Sequence, residues 1–152
     1  MKSAVFYLLP DNDGQYVSLT QAACELAAQQ CRSRQKVWVY CADQESAEQL
    51  DDLLWQRPVD AFVPHNLVGE GPDKGAQVEI GWQPPQFVSR PVLINLHANY
   101  PEFSAQFRSV IDFVPADEAG KVSARERYKH YRAAGFTMQT QPFEANIERR
   151  NG

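Results

Sequence analysis

The sequence predicts a single α/β domain built on mostly parallel strands, and three observations carry that prediction. Short apolar, β-branched runs alternate with longer segments whose apolar residues recur every three or four positions. The first alternation reads strand–helix–strand–helix, an order that joins parallel strands through helical crossovers. The 152 residues, 43% hydrophobic and 22% charged, can bury one core unaided and contain no apolar run of membrane-spanning length.

Each element has a local reason. Ala4 to Leu9 is a compact apolar run closed by Pro10 and an Asp/Asn/Gly turn, which predicts a central strand. Ser18 with Gln21 three residues on is a capping box, and Leu19, Ala22, Ala23, Leu26 and Ala27 give the helix after it one apolar face. Lys36 to Cys41 is β-branched and aromatic, hence a strand. Asp43 is placed to cap a second helix with the apolar face Ala47, Leu50, Leu53 and Leu54. Phe62 to Pro64 reads as a short extended piece before a Gly-rich loop, Gly69 to Gly75. Val78 to Trp82 and Pro91 to Leu96 are strands separated by a Pro-rich link, Gln83 to Arg90. Ser109 to Val114 is a further strand that Pro115 ends. The last helix runs from Asp117 to Ala134 and stops at Gly135, and Phe136 to Pro142 suits an edge strand. The domain so defined spans 1–143, followed by a polar tail, 144–152, expected to be disordered.

Composition excludes several function classes. Cys24, Cys31 and Cys41 are odd in number and contain no C-x-x-C pair, so they suit buried free thiols in a reducing cytoplasm rather than a disulfide or zinc framework. The start is too short and too soon acidic for a signal peptide. A net charge of −4 argues against a surface that binds nucleic acid directly. The first strand–helix turn, Pro10 to Gly14, holds Asp11 and Asp13 where a phosphate would sit, and neither Gly-rich segment matches a nucleotide fingerprint. Asp11, Asp13 and Asp43 follow the first two strands and could instead gather Mg²⁺ for phosphoryl transfer. Turn and cap roles explain all three more cheaply, and no nucleophile is placed to complete a site. His65, His97 and His130 have no ligand spacing.

The last helix is different. Between Ala119 and Ala134 five cations face Glu126 alone. With 3.6 residues per turn, Lys121, Arg125, Tyr128, Lys129 and Arg132 fall within an arc of roughly 100°, with Ala124 and Tyr131 turned to the sheet. Like charges stacked at 121/125, 125/129 and 129/132 each cost about 0.2–0.5 kcal/mol, which suggests a waiting acidic ligand. A direct nucleic-acid-binding module is the other use of such a stripe. Trp55 with Phe62, on Pro-punctuated chain, either closes the core or forms an apolar interface patch.

Four segments carry a family resemblance. FYLL at the start, Leu53 to Pro72 (LLWQRPVDAFVPHNLVGEGP), VEIGW, and Asp112 to Phe136 (DFVPADEAGKVSARERYKHYRAAGF) resemble the chi subunits of bacterial DNA polymerase III. The link Gln83 to Arg90 and the tail after Phe143 depart from the pattern. The resemblance implies a Rossmann-like α/β fold with helices on both faces, no cofactor and no activity of its own. It implies a cytoplasmic, replisome-associated adaptor that pairs with the psi subunit of the clamp-loader assembly. It also implies a grip on the acidic C-terminal tail of single-stranded-DNA-binding protein, which ends in Pro-Phe with a free carboxylate. Carried over by position, tail binding falls on Lys121, Arg125, Tyr128, Lys129 and Arg132, with Val114 in the apolar floor. The psi-facing surface falls on Trp55, Phe62, Val63 and Pro64. Association with an iron–sulfur repair helicase through an overlapping surface is a further implied role, and contact with DNA is expected only through these partners.

Overall fold

The computed structural model describes residues 1–12, 15–57, 61–71 and 75–144, with the backbone alone at 11–12 and 15–16. Strand β1 (Ser3–Leu8) leads through a small antiparallel ladder, β2 (Asp11–Asn12) with β3 (Gln15–Tyr16), into α1 (Leu19–Arg32). Next come β4 (Val37–Tyr40), α2 (Gln44–Trp55), β5 (His65–Leu67), β6 (Val78–Gly81) and β7 (Val92–Asn95). A 3-10 turn (Glu102–Gln106), β8 (Ser109–Val114), α3 (Glu118–Ala133) and β9 (Thr137–Pro142) complete the chain. Seven strands form one parallel sheet in the order β5-β6-β4-β7-β8-β1-β9.

The central strands are apolar nearly throughout because they are covered on both faces, whereas the edge strands β5 and β9 are largely polar. Val39, Ile80, Ile94 and Phe113 lie under α1 and α2, whose Leu26, Ala27, Leu50 and Leu54 are buried. On the opposite face Ala4, Phe6, Trp38, Leu93 and Val110 pack with Phe107 and with Ala124 and Tyr131 of α3. Full burial of a side chain such as Leu50 or Phe6 stabilises by about 1.5–3 kcal/mol.

The caps follow the local signals. Ser18 and Gln21 form the reciprocal box at α1, and the Asp43 carboxylate accepts from the Ser46 N–H at 2.8 Å to open α2. At the end of α3, Gly135 takes φ +97, the Phe136 N–H reaches the Tyr131 carbonyl and the Gly135 N–H that of Arg132. These two bonds, with the Phe136 ring 5.6 Å from that of Tyr131, turn the chain straight into β9.

The sheet departs from the sequence reading at one edge. The strand lies at His65–Leu67 rather than at Phe62 to Pro64. His65 and Asn66 are polar yet buried there, His65 with Nδ1 against the Val63 carbonyl and Asn66 fully partnered by the fold. The Asn66 side chain accepts from the Ala76 N–H at 2.7 Å and donates to the Leu67 carbonyl at 2.7 Å. Of the carboxylates considered for Mg²⁺, Asp13 lies outside the described residues, as do residues 145–152 of the expected tail.

Candidate functional site

Helix α3 is fixed to the sheet before it offers anything to a ligand. Its start is set by Asp117, which accepts from the Gly120 N–H at 2.8 Å, and a Cβ on Gly120 would stand 2.6 Å from the Pro115 ring. Farther along, a buried polar cluster bolts the helix to β8. Arg127 Nε donates to both Asp112 carboxylate oxygens at 3.0 and 3.2 Å, and the rest of its guanidinium donates to the carbonyls of Ala98 and Phe113. The Tyr131 hydroxyl donates to Asp112 at 2.9 Å, and the Asn95 amide at 3.1 Å. Burial, reinforced by the neighbouring carboxylate, pushes the Tyr131 phenol well above its usual range.

This corrects the count of surface charge. Arg127, one of the five cations of the segment, is buried and neutralised by Asp112. The signal was already in the strand, since an Asp inside the apolar run SVIDFV calls for a buried partner.

With the helix so held, its outer stripe and the sheet enclose a cleft of about 430 Å³. Lys121, Arg125, Tyr128, Lys129 and Arg132 form one wall, and Val114 of β8 lies in the floor. All six residues assigned to tail binding by position therefore border one cavity. The sequence reading missed the rest of the lining: Phe6 and Leu8 of β1, Thr140 of β9, and Ala124. These residues meet only because β8, β1 and β9 are neighbours, although alternation along β1 already put Phe6 and Leu8 on one face.

The electrostatics of the wall are uneven. Lys121 is 3.6 Å from Glu118 and Lys129 is 3.4 Å from Glu126, each one helical turn away. Among the described residues Arg125 has no ion-pair partner within 4.0 Å. The half-buried Tyr128 ring sits 5.5 Å from Phe6 and is approached by the Arg132 guanidinium at 6.0 Å. The cleft thus combines an apolar floor, two guanidinium groups without an ion-pair partner among the described residues, Arg125 and Arg132, and two paired lysines, which is the chemistry to hold an apolar group joined to a carboxylate.

A second surface lies at the opposite sheet edge. Trp55 is 60% and Phe62 46% exposed, with ring centroids 5.6 Å apart, and Pro64 is exposed beside them. Val63 is buried at 3%, so its side chain belongs to the core and supports the patch from beneath. His65 lies between the two elements, with Nδ1 2.7 Å from the Val63 carbonyl and Nε2 3.2 Å from Asp51 of α2 but without a hydrogen bond to it.

The positions where α/β sheets usually hold nucleotides are poorly furnished. The carboxyl ends of β7 and β8 border only about 210 Å³, backed by the closed Asp112–Arg127 pair. Asp43 spends its carboxylate on the α2 cap, and no group of three metal-ligating side chains occurs among the described residues. The Cys24, Cys31 and Cys41 thiols are all pushed up by burial, Cys41 to about 12, so they are not poised as nucleophiles.

Comparison with known proteins agrees with the family resemblance. The family model described as "DNA polymerase III chi subunit, HolC" matches residues 1–139. A protein of Escherichia coli named DNA polymerase III subunit chi is 48% identical over 144 residues, covering 92% of this chain and 97% of the relative. Proteins of the same name from Haemophilus influenzae and Pseudomonas aeruginosa are 42% and 34% identical, covering 92% and 88% of this chain and 96% and 92% of theirs. Among solved structures, the crystal structure of T4 UvsW matches with a TM-score of 0.63 at 12% identity. It covers 94% of this chain and 41% of that one, a likeness of fold alone.

Proposed function

The chain belongs to the DNA polymerase III chi subunit family, an accessory role in replication, and from that premise we propose that it is a non-catalytic adaptor with two separate grips. One grip is the cleft along α3, which takes the acidic C-terminal tail of single-stranded-DNA-binding protein. The terminal Phe ring enters the apolar floor over Val114 and Leu8, its carboxylate meets Arg125, and upstream acids run past Lys121, Lys129 and Arg132. The other grip is the exposed pair Trp55 and Phe62 with Pro64, which pairs with the psi subunit and tethers the chain to the clamp loader. The adaptor would hold coated single strands near the polymerase.

What supports the first grip most is a single observation: the cationic stripe of α3 borders a cleft with an apolar floor. A generic anion surface needs no such floor. Titrating the chain with an acidic peptide ending in Pro-Phe, with the same peptide lacking Phe, and with single-stranded DNA tests this reading. The intact peptide should bind, removal of Phe should abolish most of the affinity, and DNA should bind far more weakly. Equal binding of all three would reduce the stripe to a generic anion surface.

A further inference from the structure

The cleft opens onto a sheet edge that has no neighbouring strand among the described residues. Among the described residues β9 is the last strand of the sheet and pairs with β1 alone. The Thr137 N–H donates to the Lys2 carbonyl and the Phe143 N–H to the Leu8 carbonyl. A ladder alternates, so residues 137, 139, 141 and 143 turn their backbone groups to β1, and 138, 140 and 142 turn theirs outward. Pro142, which has no N–H, falls on an outward position where the loss costs no ladder bond. Met138 and Thr140 each present an outward N–H and C=O.

Edges of this kind are normally blunted by charge, bulges or covering chain. β9 carries no charged side chain in Thr137–Pro142, and its residues are exposed apart from the half-buried Met138. The open donors also adjoin the cleft, because Thr140, paired in register with Phe6, lines it beside Lys129 and Arg132. A chain leaving the cleft past Thr140 meets main-chain donors and acceptors first. An added strand would turn alternate side chains toward α3, where Lys129 and Arg132 favour carboxylates.

We propose that the outer edge of β9 at Met138 and Thr140 is a strand-addition site for the acidic peptide whose end occupies the cleft. The segment just upstream of the seated residues pairs with it as an eighth strand. This inference rests on the cleft reading above and extends it. Within β9 Met138 and Thr140 offer two outward N–H groups, so the added strand is short, and its bonds give the upstream segment affinity that does not depend on its side chains.

The experiment uses the full chain and two synthetic peptides, one of four residues and one of ten, both acidic and both ending in Pro-Phe with a free carboxylate. Amide exchange at Met138 and Thr140 is read by NMR beside the affinity of each peptide. The ten-residue peptide should slow exchange at both amides and bind about tenfold more tightly than the four-residue one, the worth of two or so net hydrogen bonds. The four-residue peptide should bind without slowing them. N-methylation along the upstream segment keeps every charge. It should remove the gain at alternate positions only, since just one backbone N–H in two faces β9.

Unchanged exchange at Met138 and Thr140 with the long peptide bound, or methylation equally harmless everywhere, overturns the proposal and leaves the cleft reading standing. Failure of the four-residue peptide to bind overturns the cleft reading itself. Protection of the two amides in the free chain that grows with its concentration would assign the edge to a second copy, which also overturns the proposal.

Discussion

Arg125 and Arg127 stand two residues apart on α3, and a helical turn of 100° per residue sends them to opposite fates. Arg127 spends its donors on Asp112 and two carbonyls inside the protein. Arg125 faces the cleft with no internal partner among the described residues, so its two-pronged donor is free for a carboxylate. Arg125→Ala should therefore weaken binding of the intact acidic peptide by about 1.5–3 kcal/mol, the worth of hydrogen bonds to a charged group. Arg125→Lys should recover only part, because the ammonium keeps the charge but not the fork. Lys129→Ala should cost less, since Lys129 already holds Glu126, and that smaller loss should shrink as salt screens it. Calorimetric titration of the three variants at two salt concentrations checks the order. An Arg125→Ala loss no larger than that of Lys129→Ala would remove the special role given to the guanidinium.

At the scale of elements, the cap of α2 and the bolt under α3 make contrasting predictions. Asp43 is exposed, and its hydrogen bonds from Ser46, the backbone N–H first, hold its pKa below the ordinary carboxylate value. A folded pKa below the unfolded one means that the stabilisation is complete above the unfolded value and fades as pH falls through the folded one. Asp43→Ala should accordingly lower the melting temperature at neutral pH, with the gap to the unaltered chain closing at strongly acidic pH. The Asp112–Arg127 pair is buried, so Arg127→Met would strand a carboxylate in the core and should cost about 3–5 kcal/mol of stability. The double variant Asp112→Asn with Arg127→Met should lose less than the sum of the single losses, as urea titration would show. These elements also mark what was legible in the sequence. The α1 box, the Asp43 cap and the Gly135 stop use neighbours in sequence, so one reading of the chain finds them. β5 lies three residues beyond the expected extended piece because His65 and Asn66 look like loop residues until Ala76 and Asp51 arrive from elsewhere in the fold. The cationic wall was readable from helical periodicity, whereas Phe6, Leu8 and Thr140 join it only through strand order.

At the scale of the whole molecule, strand order separates the two proposed grips. β5, beside the Trp55–Phe62 patch, is one edge of the sheet, and β1 and β9, under the cleft, are at the other. With about 4.8 Å between neighbouring strands, five or six spacings put the surfaces on the order of 25 Å apart. The strands between them are close-packed, with Val39, Ile94 and Phe113 buried on one face and Trp38, Leu93 and Val110 on the other. No hinge or second domain lies along that path among the described residues, so a change at one edge has no two-state element through which to reach the other. The adaptor should therefore be a passive bridge. Saturating the chain with psi should change its affinity for the acidic peptide by less than about 0.5 kcal/mol, the range expected for distant sites without shared partners. Phe62→Ala should weaken psi pairing and leave peptide affinity unchanged, and Arg125→Ala should do the reverse. Phe62 is nearly half exposed, so its truncation should cost less stability than the about 3–5 kcal/mol of a buried Phe, and melting of the free variant checks that it is folded. A coupling above about 1 kcal/mol between psi and the peptide, measured in both orders of addition, would show that the sheet transmits more than position and that the bridge is not passive.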